Sequence, residues 1–334
     1  NCQSPDQRGL SRPIGAACDS GAYEVETTPP STNAAGGLPS NPTSSRTASF
    51  TLSGTDTIFP ASSLLFDCKI DSGSYATCAS PANYTGLTDG THNFYVFAKD
   101  LDGNSDASPY TFTWVVDGSA PDTGFTSALP ANPTNVTSAS FSFTGSDNLT
   151  ATGSLTYQCS LDGAAAAPCT SPVSYPSLAA GSHTFTVAAV DEVANVDASP
   201  ASHTWVIDVT DPETSIGTKP ADPTNTTAAV FTFTGSDNVT AAGSLSFQCQ
   251  LDGGAFAPCT SGSNFGPVAG NASHTFYVQA TDAAGNTDPT PAEYTWYVDT
   301  TAPTTTLLTS PASLTNDTAA VFTFSGSDTY SSVT

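Results

Sequence analysis

Aspartate and asparagine recur in this sequence at fixed places, and together they have the makings of a cation site. Three long alternating stretches each end in such a cluster: Asp100, Asp102, Asn104 and Asp106; Asp191, Asn195 and Asp197; Asp282, Asn286 and Asp288. A shorter apolar run precedes Asp56, then Asp147 with Asn148, then Asp237. Linker phrases of the form V-D-x-x-x-P bring Asp117 and Asp122, then Asp208, Asp211 and Glu213. In a two-sheet fold with this strand order, the loop after the second strand and the loop after the long strand share a pole with the incoming linker. One pole would gather Asp117, Asp122, Asp147, Asp191, Asn195 and Asp197. The next would gather Asp208, Asp211, Asp237, Asp282, Asn286 and Asp288. Clustered carboxylate and amide oxygens suit Ca²⁺. An ion there would neutralise repulsion and stiffen each joint. The spacing is neither that of an EF-hand nor of a glycine-rich calcium repeat. The competing reading is that Asp and Asn shape loops by bonding their own backbone.

The cysteines carry a different chemistry. Cys68 and Cys78, Cys159 and Cys169, and Cys249 and Cys259 each bracket an Asp-centred turn, at Asp71, Asp162 and Asp252. Even, regular spacing without Cys-x-x-Cys predicts a disulfide within each hairpin and an oxidising compartment. A loop this small is stabilised by roughly 2.5–3 kcal/mol. Cys2 and Cys18 either pair with each other or with a cysteine further upstream. His92, His183 and His274 each stand two residues before an inward Phe, a strand-start role. No nucleophile elbow, zinc-protease motif or phosphate loop accompanies them, so no catalysis is expected. Trp114, Trp205 and Trp296 read as packing residues on a last strand. Sequons at Asn83, Asn135, Asn148, Asn225, Asn238, Asn271 and Asn316 are what a chain rich in Thr and Asn produces.

The elements that would position these residues repeat. In residues 178–197, Phe185, Val187 and Ala189 alternate with Thr184, Thr186 and Ala188, the period of a strand with one face inward. The same phrase occurs at 87–106 and 268–288, and the His and Trp landmarks advance in steps of 91. Length changes fall in loops, as a packed sandwich requires. About seven short strands per copy, with no helical period, predict an all-β chain. Its expected fold is a series of immunoglobulin-like or fibronectin type III-like β-sandwiches in tandem, arranged as an extended rod. The expected division is a tail of another domain at 1–26, a Thr/Pro/Ser linker at 27–47, and repeats at 48–117, 118–208 and 209–299. The first strand of the first repeat is expected from 38–47. Residues 300–334 begin a fourth copy, either cut short or completed by another chain.

Composition narrows the partners. The chain has 334 residues, with six Lys or Arg against thirty Asp or Glu and a formal net charge of −24. Such a chain repels nucleic acid and anionic lipid. No apolar run suits a membrane span, so no direct insertion is expected in this segment. Absence of any Met predicts a segment of a longer product.

Two resemblances follow from particular residues. Asp6, Arg8, Gly9, Arg12, Pro13, Cys18, Asp19, Gly21, Ala22 and Glu24 resemble the closing segment of right-handed parallel β-helix surface proteins; Ser20 departs from an aliphatic position. Over 48–334, the phrase L-x-x-G-x-H-x-F-x-V-x-A-x-D, the paired cysteines and the V-D-x-x-x-P linkers resemble tandem Ig-like repeats of large bacterial surface and secreted proteins. That resemblance implies an extracellular stalk, or a fibre-forming segment of an adhesin-type protein, that self-associates or attaches to a cell surface. The alternative it leaves is a carbohydrate- or host-surface-binding accessory module. Exposed aromatics confined to one repeat would favour the latter.

Overall fold

A computed structural model describes residues 27–33 and 36–330. Strands dominate, with single-turn 3-10 segments at Ala61–Ser63, Thr152–Ser154 and Ala242–Ser244. The tail at 1–26, with Cys2 and Cys18, lies outside the described residues. Two compact units divide the chain. One runs up to Ala128 and takes in Phe141–Val173 and Phe185–His203; the other holds Leu129–Ser140, Ser174–Thr184 and Thr204 onward. Their boundary passes through the second repeat.

In the first unit, Leu65–Ile70 lies between Ala76–Cys78 and Gly90–Lys99, which pairs in turn with Tyr110–Val116. Thr47–Phe50 pairs with Ala82–Thr85, and Ser31–Thr32 with Gly54–Thr55, in the facing layer. The short strand after the hairpin turn joins the sheet of the long strand. That is the fibronectin type III-like arrangement, not the constant-type immunoglobulin one. Alternation explains the core. Phe94, Val96 and Ala98 are at most 1% exposed, and Phe50 stacks on Phe94 at 3.9 Å with Trp114 edge-on. Each such large side chain contributes about 1.5–3 kcal/mol on burial. Part of the second repeat lies in the same unit. There Asp122–Phe125 pairs with Phe143–Ser146, and Thr156–Leu161 with Ala167–Cys169. Phe141 stacks on Phe185 at 4.2 Å.

The second unit repeats the plan. Ser246–Leu251 lies between Ala257–Pro258 and Ala272–Thr281, which pairs with Ala292–Val298. Glu213–Ile216 pairs with Phe233–Ser236. Phe231 stacks on Phe276 at 4.0 Å beside buried Trp296.

The hairpin turns follow their sequence. Asp162-Gly163 and Asp252-Gly253 have φ of 54° and 72°, and 51° and 74°. Two consecutive left-handed residues make the turn whose twist suits the flanking strands, which is why Asp-Gly stands there. Disulfides Cys68–Cys78, Cys159–Cys169 and Cys249–Cys259 each cross a hairpin at a Cα separation of 5.8 Å; in the first, only Asp71 of the turn is left-handed.

Two segments differ from expectation. Within the stretch read as linker, Ser31–Thr32 is already a strand, well before 38–47. Thr32 is the reason: its hydroxyl accepts the Ala98 N–H at 2.9 Å, and its own N–H donates to Asp106 at 2.7 Å. Thr123 and Thr214 accept from Ala189 and Ala280 in the same way. Segment 38–47 instead places Thr43 in a single parallel bridge to Val116. In the fourth copy, Thr304–Thr309 pairs with Thr323–Ser327, leaving Leu307 and Phe324, directly opposed, 57% and 70% exposed.

Candidate metal centre

Backbone pairing at the end of each closing strand sets the first carboxylate of each cluster. Thr43 N–H donates to Val115 O and Asp117 N–H to Thr43 O, at 3.0 and 2.9 Å. These bonds turn Asp117 inward, where it is 3% exposed. Thr134 and Thr224 repeat the device with Val206 and Tyr297, fixing Asp208 and Asp299. Asn41 and Asn132 cap the arrangement by accepting the Val115 and Val206 N–H groups. Asp222 accepts that of Tyr297 in the third copy. The recurring phrase N-P-T or D-P-T at 41–43, 132–134 and 222–224 is the sequence signal for this.

The other two carboxylates come from loops of the following repeat. Asp147 accepts the Leu149 and Thr150 N–H groups with Oδ2, at 2.8 and 2.7 Å, which leaves Oδ1 buried without a partner. Asp191 accepts the Val193 and Asn195 N–H groups with Oδ1 and the Asn195 amide with Oδ2. Asp117 receives a long 3.5 Å bond from Thr150 on Oδ2, and its buried Oδ1 has no partner. One oxygen of each of Asp117, Asp147 and Asp191 lies within 4.8 Å of the others.

Asp208, Asp237 and Asp282 form the same triad in the second unit. Asp208 is 1% exposed; its Oδ1 accepts the Thr210 N–H and its Oδ2 has no partner. Asp237 again spends Oδ2 on two backbone N–H groups, from Val239 and Thr240, leaving Oδ1 bare. Asp282 is turned by Gly285 and Asn286. In the first repeat Asp56 and Asp100 hold the corresponding loop places. The matching linker position, Glu26, lies outside the described residues.

Of the expected ligands, the structure brings together these six aspartates and sets the rest apart. Asn195 aims its amide nitrogen at Asp117 O and Ser119 O, at 2.8 and 3.0 Å, and Asn286 aims at Asp208 O at 2.8 Å. They tie the linker to the loop as donors. Burial works to raise the pKa of Asp197, but bonds from Thr123 and Ser199 outweigh it and hold it low; this residue fastens the first strand. Asp288 accepts from Thr290 likewise. Asp122 and Asp211 are exposed and belong to neither triad.

Three carboxylates so close are costly. At an effective dielectric of about 20, each unit-charge pair near 4–5 Å repels by roughly 3–4 kcal/mol. Burial first, then the charges of Asp147, Asp191 and Asp89, raise the pKa of Asp117. Bare carboxylate oxygens with no thiolate or imidazole among them fit a hard cation. Three carboxylate oxygens gathered from a linker and two loops suit Ca²⁺, which accepts varied oxygen geometries, better than Mg²⁺, which demands a near-ideal octahedron. The loops also use these aspartates to bond their own backbone.

The histidines and tryptophans stand elsewhere. His92 bonds Asp71 at 2.8 Å and Thr88 O at 2.7 Å, and His274 bonds Asp252 and Ala269 O. Burial opposes the charge on each ring, but these bonds prevail and both pKa values are raised. They fasten the hairpin turn to the start of the long strand. All three Trp side chains are buried.

No family model matches this chain, and no curated protein does. Among solved structures, it is similar to part of a 1.5-MDa bacterial ice-binding adhesin at 14% identity and a TM-score of 0.36, over 82% of this chain and 99% of that one. A tetra-tandem repeat from the extending region of a large adhesion protein is similar at 18% and 0.32, over 80% and 74%. Fibronectin type III-like modules of Clostridium thermocellum CbhA follow at 18% and 0.27, over 53% and 93%. All three likenesses are distant. Among the described residues no helix is long and apolar enough to cross a membrane.

Proposed function

We propose that this chain is an extracellular structural segment, a stalk or fibre-forming part of a surface or adhesin-type protein, whose joints are tied by calcium. One observation carries the reading. The same aspartate triad is built twice, from the linker of one repeat and two loops of the next, each time around buried oxygens without a hydrogen-bond donor. A cation there would link three backbone segments that otherwise repel. Short linkers containing Pro121 and Pro212 limit bending beside it. Three disulfides suit an oxidising exterior.

Calorimetric titration of the full chain with CaCl₂ is expected to show two sites, with Kd of roughly 10⁻⁴–10⁻³ M, the range of extracellular modules. Small-angle scattering is expected to show an elongated particle in CaCl₂ that slackens in EDTA. A chain that takes up no calcium, or whose scattering ignores EDTA, would overturn the calcium-tied joint. A compact globule in both conditions would overturn the stalk. Filaments in electron micrographs would select the fibre over the single stalk.

A further inference from the structure

The outer face of the four-stranded sheet in the first repeat differs in kind from the same face in the other copies. Lys69 stands opposite Tyr95, and Asp67 opposite Phe97, across Leu65–Ile70 and Gly90–Lys99. Tyr75, 38% exposed, reaches in from the hairpin so that its ring centre is 4.9 Å from that of Phe97. The Lys69 ammonium sits 4.9 Å from the Tyr75 ring centre and 4.6 Å from that of Tyr95. At the same register the second copy pairs Ser160 with Thr186 and Gln158 with Ala188. The third pairs Gln250 with Tyr277 and Gln248 with Gln279. The third copy keeps rings at two of these places, Phe256 and Tyr277, and the second at none, but neither has a cation there, so a sandwich of this plan needs neither the full ring cluster nor the lysine.

Charge is also inverted here. Lys99 is paired with Asp67, and Arg46 with Asp89, but Lys69 makes no ion pair among the described residues. On the strands of this face two ammonium groups, Lys69 and Lys99, stand against the Asp67 carboxylate, while Asp71 at the turn beyond is taken up by His92, in a chain of net charge −24. Two tyrosine rings hold the Lys69 ammonium in place, so little side-chain freedom is lost when an anion meets it. Ring faces and edges beside a fixed cation match a sugar that offers C–H groups on one side and a carboxylate on the other. The chain's overall negative charge disfavours a dense polyanion such as nucleic acid, whose phosphates would meet it everywhere else.

We infer that this face of the first repeat binds a glycan bearing spaced carboxylates, with Lys69 receiving the carboxylate and Tyr75, Tyr95 and Phe97 packing the sugar ring. Such an activity is separate from the calcium joints and adds a contact function to the stalk.

The test uses the full chain, titrated with a hyaluronan tetrasaccharide and with its carboxyl-reduced form, followed by amide NMR shifts. Shifts are expected in Leu65–Ile70 and Gly90–Lys99 with the acidic sugar, and affinity at least about tenfold weaker after carboxyl reduction, the loss of one charge-assisted bond. Lys69→Gln and Tyr75→Ala should each weaken binding comparably while leaving the spectrum of the second and third repeats unchanged. Equal binding of the acidic and reduced sugars, unchanged binding by Lys69→Gln, or no shift at millimolar sugar would overturn the proposal.

Discussion

The joints at Asp117 and Asp208 carry the same triad in different company. Beside Asp117 stands Asp89, which accepts the Gly118 N–H at 2.8 Å, the Ser119 hydroxyl and the Asn148 amide at 3.0 Å, and pairs with Arg46 at 2.7 Å. Asp89 belongs to the first repeat and Asn148 to the second, so this brace spans the joint without any ion. At the second joint the matching positions hold Ala180, Thr137, Val209 and Thr210. Val209 is 48% exposed. What remains there is the Asn286 tie to Asp208 O and a backbone bond from Asn135 to Ala284 O at 3.2 Å. The aspartate triad thus recurs in both copies while the surrounding fastening diverges. Dependence on a cation should concentrate where the brace is missing.

Withdrawing calcium should have the largest effect. A ligand at a hundredfold its Kd stabilises a site by about 2.7 kcal/mol. In EDTA, hydrogen exchange should accelerate at residues 209–211 and 239–240 well beyond residues 118–120 and 149–150. Equal acceleration at both joints would erase the distinction drawn here. Next in size, Asp89→Ala should cost about 2 kcal/mol, mostly through its lost hydrogen bonds. Arg46 is 43% exposed, so its ion pair adds little. This variant should make the first joint as sensitive to EDTA as the second; protection unchanged at Gly118 would show the brace to be idle.

Asp208→Asn should change sign with conditions. Without calcium it removes a buried, repelled charge while keeping an oxygen for the Thr210 N–H, and should stabilise by about 1–2 kcal/mol. With calcium it removes a ligand and should abolish the second binding event. A melting temperature lowered in both conditions would mean that the carboxylate serves the fold and not an ion.

Much of this was legible because it repeats. Phe185, Val187 and Ala189 announced a buried strand face by their alternation, and all three are fully buried. The six triad aspartates were within reach of reasoning because the loop order places three of them at the pole of each of two repeats. Asp197 and Asp288 lie in the same loops as Asp191 and Asp282, but their Oδ1 atoms accept from Ser199 and Thr290 two residues on, and neither joins a triad. Only three-dimensional direction separates them from the triad. Thr32 shows a different failure: the phrase P-x-T recurs at Pro30, Pro121 and Pro212, but two residues are too short for an alternation to be seen. Arg46 and Asp89 escaped for the opposite reason. Attention to what recurs discards what does not, and their forty-three-residue separation gives no local pattern. The same bias hid Lys69 and Tyr75.

The smallest effect is a matter of pH, and it separates the joints most cleanly. Asp89 has its pKa lowered to about 2, chiefly by the Ser119 hydroxyl, with Gly118, Asn148 and Arg46 helping against burial. Its folded value lies below the unfolded one, so its contribution is present above the ordinary carboxylate pKa and disappears as pH falls towards about 2. Asp117 is shifted the other way. In calcium-free solution its repulsion is felt above its raised folded pKa and is relieved as pH falls through it. Acidifying the apo chain should therefore ease the first joint and then, lower still, unfasten it. The Gly118 amide, which donates to Asp89, should report the second step in an NMR titration with a midpoint near 2, while the Val209 amide, with no such acceptor at position 180, shows no step there. A Gly118 midpoint at the usual carboxylate value would mean that Asp89 is not held by its four partners in solution, and the difference between the joints would then lose its physical basis.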